Sequence, residues 1–140
     1  MEHLNLDVNN IENTLTFYRA VFPHWIVRDS GEEEDQSSKW IHFGDDWQFL
    51  TFNQNANADL TIKKDVHLGF SHMGYVVTAL DALATRLTNA GFKGHHYGAQ
   101  NPYRKNMYFY DPNGLEVEFV EYFSDIPAER NSSSVLSKSA

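Results

Sequence analysis

The chain carries one unit twice. His3-Leu4-Asn5-Leu6-Asp7-Val8 returns 69 positions later as His72-Met73-Gly74-Tyr75-Val76-Val77, with histidine on histidine and the apolar positions 4, 6 and 8 on 73, 75 and 77. A repeat of this size limits the fold to one that can accept the same small unit in two places. In the first copy the alternation of apolar and polar residues is that of a strand with one face against a core. A helix is expected next in both copies. Ile11, Leu15, Tyr18 and Phe22 recur at helical spacing, and so do Leu80, Leu83, Ala84 and Leu87. Asn10 and Thr78 are candidate caps for the exposed amides at the two starts. Pro23 is placed to close the first helix, and Gly91 the second.

Three strand-like runs follow each helix: 25–28, 39–43 and 47–52 in the first copy, and 92–97, 107–110 and 115–122 in the second. Asp111-Pro112-Asn113-Gly114 suits a tight reversal, with proline pre-set and glycine free to take positive φ. Each half therefore reads β-α-β-β-β. The expected class is α+β, two paired βαβββ modules forming a curved mixed sheet around a cup with the helices outside. Module one spans 1–53, a polar linker 54–69, module two 70–123, and a frayed Ser-rich tail 124–140.

Strand alternation also selects candidate functional residues. With 4, 6 and 8 on the helix, His3, Asn5 and Asp7 point to the other face, and His72, Gly74 and Val76 follow by the repeat. On the last strand Val117 and Phe119 read as core, which leaves Glu116, Glu118 and Val120 opposite. Extending the repeat pairs Gln48 with Glu118, 70 positions apart. Two imidazoles, a carboxylate and an amide, His3, His72, Glu118 and Gln48, then suit a divalent metal (Fe, Mn, Zn or Ni). Arg104 and Lys105, on a polar stretch with His95 and His96, are candidates to orient an anionic substrate.

Composition removes several alternatives. With no cysteine there is no disulfide framework, thiolate zinc site or cysteine nucleophile. A net charge of −8 without a basic stripe disfavours nucleic acid. No apolar run approaches the roughly 20 residues of a membrane span, and the opening lacks a signal-peptide pattern, so a cytoplasmic protein is expected. The acidic run from Glu32 to Asp35 reads as a solvated hairpin tip.

The opening from His3 to Arg19 and the stretch Tyr108 to Glu118 resemble the characteristic start and ending of the vicinal oxygen chelate superfamily, the group of glyoxalases, bleomycin-resistance proteins and extradiol dioxygenases. The resemblance covers residues 1 to about 123. It implies metal ligands on the first and last strands of each module, matching His3, Gln48, His72 and Glu118, with Glu118 and Tyr108 in catalytic roles. Ring-cleaving dioxygenases share the two-histidine, one-glutamate set, but Ala99, Gln100 and Asn101 stand where a further histidine, their proton donor beside the metal, is expected. Glyoxalase-type lyases and isomerases have a carboxylate where Gln48 stands, and fosfomycin-type transferases also share the triad. A small-molecule substrate and a homodimer are implied in each case. A metal-free, bleomycin-resistance-like binder of a small aromatic ligand stays open beside them, with Trp25, Trp40, Trp47, Tyr103 and Tyr108 as stacking candidates.

Overall fold

The computed structural model describes residues 1–33, 38–55 and 71–132. The chain divides into two units, residues 1–66 and 67–140. Unit one contains β1 (His3–Asp7), α1 (Ile11–Val21), β2 (Ile26–Glu32), β3 (Ser38–Gly44) and β4 (Phe49–Asn55). Unit two contains β5 (Met73–Val76), α2 (Leu80–Asn89), β6 (Gly94–Tyr97), β7 (Arg104–Tyr110), β8 (Glu116–Tyr122) and a short α3 (Pro127–Arg130). The expected βαβββ order is thus present in both units, and the class is α+β.

The two sheets have one topology. Their strand orders are β1-β4-β3-β2 and β5-β8-β7-β6. The first and last strands of each unit run parallel, and the other neighbours are antiparallel. Each helix covers one face of its own sheet. From α1, Ile11, Leu15, Tyr18 and Val21 are buried, and they meet Ile41, Phe43, Leu50 and Phe52 of β3 and β4 in the same core. The second core is built alike from Leu80, Leu83 and Leu87 with Met107, Phe109, Val117 and Phe119. Phe43, Phe52, Phe109 and Phe119 are wholly buried, and each such side chain contributes roughly 1.5–3 kcal/mol.

Local chemistry explains the helix ends. Asn10 caps α1 by accepting from the Asn13 N–H at 2.8 Å. The Gln54 side chain, on the last strand of that unit, accepts from the Ile11 N–H at 2.7 Å. Unit two has no cap from Thr78. Ala79 precedes α2 in a left-handed conformation with no side-chain hydrogen bond. Instead Glu121, on β8, accepts from the N–H groups of Ala79 (2.8 Å) and Leu80 (3.1 Å). A carboxylate at a helix N-terminus also opposes the positive end of the helix dipole. Gly91, with φ of 93°, ends α2 as expected.

The reversal between β7 and β8 is held by Asp111. This buried carboxylate accepts from the N–H groups of Asn113 (2.8 Å) and Leu115 (2.9 Å), and Gly114 takes φ of 84°.

One expectation is corrected. Residues 124–132 pack back onto the strands of their own unit: Arg130 lies over the Tyr122 ring at 4.0 Å, and Asn101 donates to the Ser132 carbonyl. Within the polar stretch, His95 and His96 lie on β6, inside the run expected over 92–97, and Arg104 and Lys105 open β7. Residues 133–140, most of the linker and Glu34 and Asp35 of the acidic run lie outside the described residues.

Two stability measurements test this reading. Replacing Asp111 by alanine leaves two turn N–H groups without their acceptor, and should cost about 2–3 kcal/mol in urea unfolding. The Glu121 carboxyl is pushed up by burial, but the Leu80 and Ala79 N–H groups and the Lys105 ammonium outweigh this and hold it below the usual carboxylate range. Its contribution is therefore present above the unfolded-state value and lost as pH falls through the depressed folded value. Glu121→Gln should be less stable than wild type at neutral pH, and the two should converge in acid.

Candidate functional site

In unit two, burying Val117 and Phe119 against α2 sends Glu116, Glu118 and Val120 to the opposite face of the sheet. Glu118 lies opposite Gly74 of β5 and Tyr108 of β7. His72, just before β5, brings Nε2 to 3.1 Å from Glu118 Oε2. The other oxygen, Oε1, accepts from Asn106 Nδ2 at 2.7 Å. Asn106 Nδ2 also lies 3.3 Å from the Tyr108 hydroxyl. Gly74 leaves the space beside Glu118 open, since a β-carbon there would come no nearer than 3.9 Å to Oε2.

Tyr108 is the centre of a histidine-lined patch. The His72 ring meets it edge-on with centroids 5.7 Å apart, and the His96 ring lies at 5.4 Å. Burial, and after it the Glu118 carboxylate, pushes the phenol above its ordinary value, so it stays protonated at neutral pH. A shift in the β6–β7 register between Gly94 and His96 leaves His95 as the extra residue of a bulge. His95 Nε2 then reaches Glu116 Oε1 at 2.8 Å, while its ring stacks on Tyr110 at 4.1 Å.

Unit one has the same framework and different chemistry. His3 stacks on Phe49 with centroids 5.0 Å apart, and its Nδ1 meets Glu2 Oε2 at 2.7 Å. His42 lies 4.7 Å from Phe49 on the β3 side, Trp40 lies 4.7 Å from His42, and the Arg28 guanidinium lies over Phe49 at 4.8 Å. The Asn53 carboxamide donates to Asn5 across β1 and β4.

The register corrects the pairing of Gln48 with Glu118. Thr51 is opposite Asn5 and His42, just as Glu118 is opposite Gly74 and Tyr108. The counterpart of Glu118 in unit one is therefore Thr51, a buried hydroxyl. The repeat holds at 69 positions through the first strand and the helix start. It shortens to 67 by the bulge, where Arg28 and His95 correspond, because unit two has two fewer residues between them. Gln48 sits in the exposed turn before β4, with its N–H donated to Asp45 Oδ1 at 2.9 Å.

Other candidates have structural tasks. Arg104 Nη1 donates to the carbonyls of Arg130 (2.9 Å) and Ser132 (3.0 Å). Lys105 pairs with Asp81 at 2.7 Å and Glu121 at 3.2 Å, on the helix side of the sheet. Neither cation is left facing solvent alone to await an anion. Trp25 is buried and stacked on Phe22, and Trp47 is exposed in the turn before β4. Asn106, Thr51 and the His95–Glu116 pair were not selected from the sequence. Alternation back from Tyr108 places Asn106 on the site face and could have found it.

Of the expected ligands, His72 and Glu118 come together, with Tyr108 beside them. Among the described residues no group of three or more His, Asp or Glu side chains is close enough to hold a metal ion. The imidazole and carboxylate of His72 and Glu118, 3.1 Å apart, are donors of the right chemistry for a divalent ion and would supply two of its positions.

The chain resembles a glyoxalase family protein from Enterococcus faecalis with a TM-score of 0.72 at 18% identity, covering 86% of this chain and 96% of the other. It resembles the fosfomycin resistance protein FosX of Listeria monocytogenes, solved with Mn(II) and 1S,2S-dihydroxypropylphosphonic acid, with a TM-score of 0.65 at 16% identity, covering 85% and 89%. A glyoxalase I variant from Zea mays gives a TM-score of 0.69 at 17% identity over 86% of this chain and 44% of that one. At these identities the likeness is one of fold. The sequence profile of the Glyoxalase/Bleomycin resistance protein/Dioxygenase superfamily matches residues 1–119, and the chain belongs to that superfamily.

Proposed function

We propose that the chain is a divalent-metal-dependent enzyme acting on a small substrate that presents oxygen donors, with His72 and Glu118 as two metal ligands. The observation that carries this reading is the His72 Nε2 to Glu118 Oε2 approach of 3.1 Å on a sheet face that the helix does not cover. The Mn(II) in the FosX structure shows that one protein of this fold holds such an ion. A bound ion would supply Lewis-acid polarisation of a substrate oxygen.

The chain's own residues supply the rest. Tyr108, held as a neutral phenol, donates a hydrogen bond to a substrate oxygen as negative charge develops there. The His95–Glu116 pair fixes one imidazole beside Tyr110 and leaves its Nδ1 to exchange a proton with substrate. Neither Arg104 nor Lys105 takes part. The exposed edge strands β2 and β6 suit a homodimer, since unpaired edges invite pairing. Among the described residues no helix is long and apolar enough to cross a membrane, and the proposed setting is the cytoplasm.

A second reading rests on the row Trp40, His42, Phe49 and His3 with Arg28, and on Thr51 standing where unit two has a carboxylate. It is a metal-free protein that binds a small aromatic ligand. Titration calorimetry with Mn(II) on metal-stripped protein separates the two. The metal reading expects saturable uptake at one ion per chain, abolished in His72→Ala, with folding retained. Equal uptake in wild type and His72→Ala would overturn the assignment, and no uptake in wild type would favour the aromatic-binding protein.

A further inference from the structure

We infer that Asn106 is the positioning residue that aims Glu118 at His72, an inference that rests on the metal reading above. A glutamate on an open sheet face can populate several rotamers, and a carboxylate free to swing is a poorer ligand than one already in place. Glu118 is fixed at both oxygens. Oε2 faces His72 at 3.1 Å, and Oε1 accepts from Asn106 Nδ2 at 2.7 Å. Asn106 lies diagonally across the β7–β8 pair from Glu118, one alternation step from Tyr108. With Nδ2 holding Oε1, the carboxylate presents Oε2 to the histidine.

Asn106 is held in its turn. The Gly98 N–H donates to its backbone carbonyl at 3.2 Å. A β-carbon built at Gly98 would overlap the Asn106 carboxamide. Only glycine at 98 leaves room for this amide, and the φ of Gly98 does not require glycine, since among the described glycines only Gly91 and Gly114 take positive values. The glycine is explained by the side chain it admits. The counterpart of Asn106 in unit one is Trp40, opposite Asn53 as Asn106 is opposite Val120, and there the facing position is Thr51, which has no carboxylate to aim. The asparagine occurs in the unit that has the glutamate.

Two variants test this from opposite sides. Asn106→Leu keeps the branched four-atom side chain and removes the donor, and Gly98→Ala leaves Asn106 in the chain but displaces its amide. Each should weaken Mn(II) binding by roughly 10–100-fold, as loss of a residue that orients a metal ligand typically does. In crystal structures of both metal-free variants Glu118 Oε2 should leave hydrogen-bond range of His72 Nε2, with the β7–β8 register intact. If Glu118 stays on His72 and Mn(II) affinity is unchanged in both, Asn106 has no positioning role. If one variant does not fold, the other decides. If wild type takes up no Mn(II), the metal reading fails, and the metal-free structures alone decide whether Asn106 holds Glu118.

Discussion

Everything at the site depends on the parallel pairing of β5 with β8 and on the burial of Val117 and Phe119 beneath α2. Those two side chains are fully withdrawn from water, and a one-residue slip of β8 would exchange them for Glu116 and Glu118. Burying two unpaired carboxylates against leucines would cost several kcal/mol each, so the register is strongly specified. The same constraint fixes what faces the other way. Glu118 stands between Gly74 and Tyr108, and His72 is carried to it by the start of β5. The helix end is tied to this strand as well, because Glu121 caps α2 and pairs with Lys105.

The two units show how one framework can carry two kinds of chemistry. Their topologies agree strand for strand, and each has a bulge at the corresponding place in its second strand. At matched positions on the open faces the residues differ. Arg28 corresponds to His95, Phe49 to Glu116, Thr51 to Glu118, His42 to Tyr108 and Trp40 to Asn106. Unit one thus presents an aromatic row with a cation, and unit two presents two His–carboxylate pairs around a protonated tyrosine. The helix-facing positions differ little, with Phe43 and Phe52 matched by Phe109 and Phe119. Core positions are held by packing, and the open face is free to diverge.

Much of this was legible in the sequence because periodicity reports burial directly. Alternation along 3–8 and 115–122 gave the strands and the sheet face, opposite the helix, on which His3 and Glu118 lie. Helical spacing gave both helices, and Asn10, Gly91 and Gly114 took the positions their chemistry implied. Gln48 was misaligned because the repeat offset changes from 69 to 67 between helix and second strand, where insertions cost little and leave no periodic signal. Arg104 and Lys105 looked available because their partners, the Arg130 and Ser132 carbonyls and the Asp81 and Glu121 carboxylates, are brought to them by tertiary folding. Thr78 lost the helix cap to Glu121 for the same reason: an acceptor 42 residues after Ala79 has no local signature.

The central claim is that His72 and Glu118 form a prepared pair of donors on the open face of unit two. Anomalous X-ray diffraction from a crystal soaked in Mn(II) tests it most directly, because the signal locates the ion without reference to activity. The account expects a peak within bonding distance of both His72 Nε2 and Glu118, with the direct contact between them replaced by two bonds to the ion. A fully occupied Mn(II) peak elsewhere on the chain, with the His72–Glu118 contact unchanged, would contradict it.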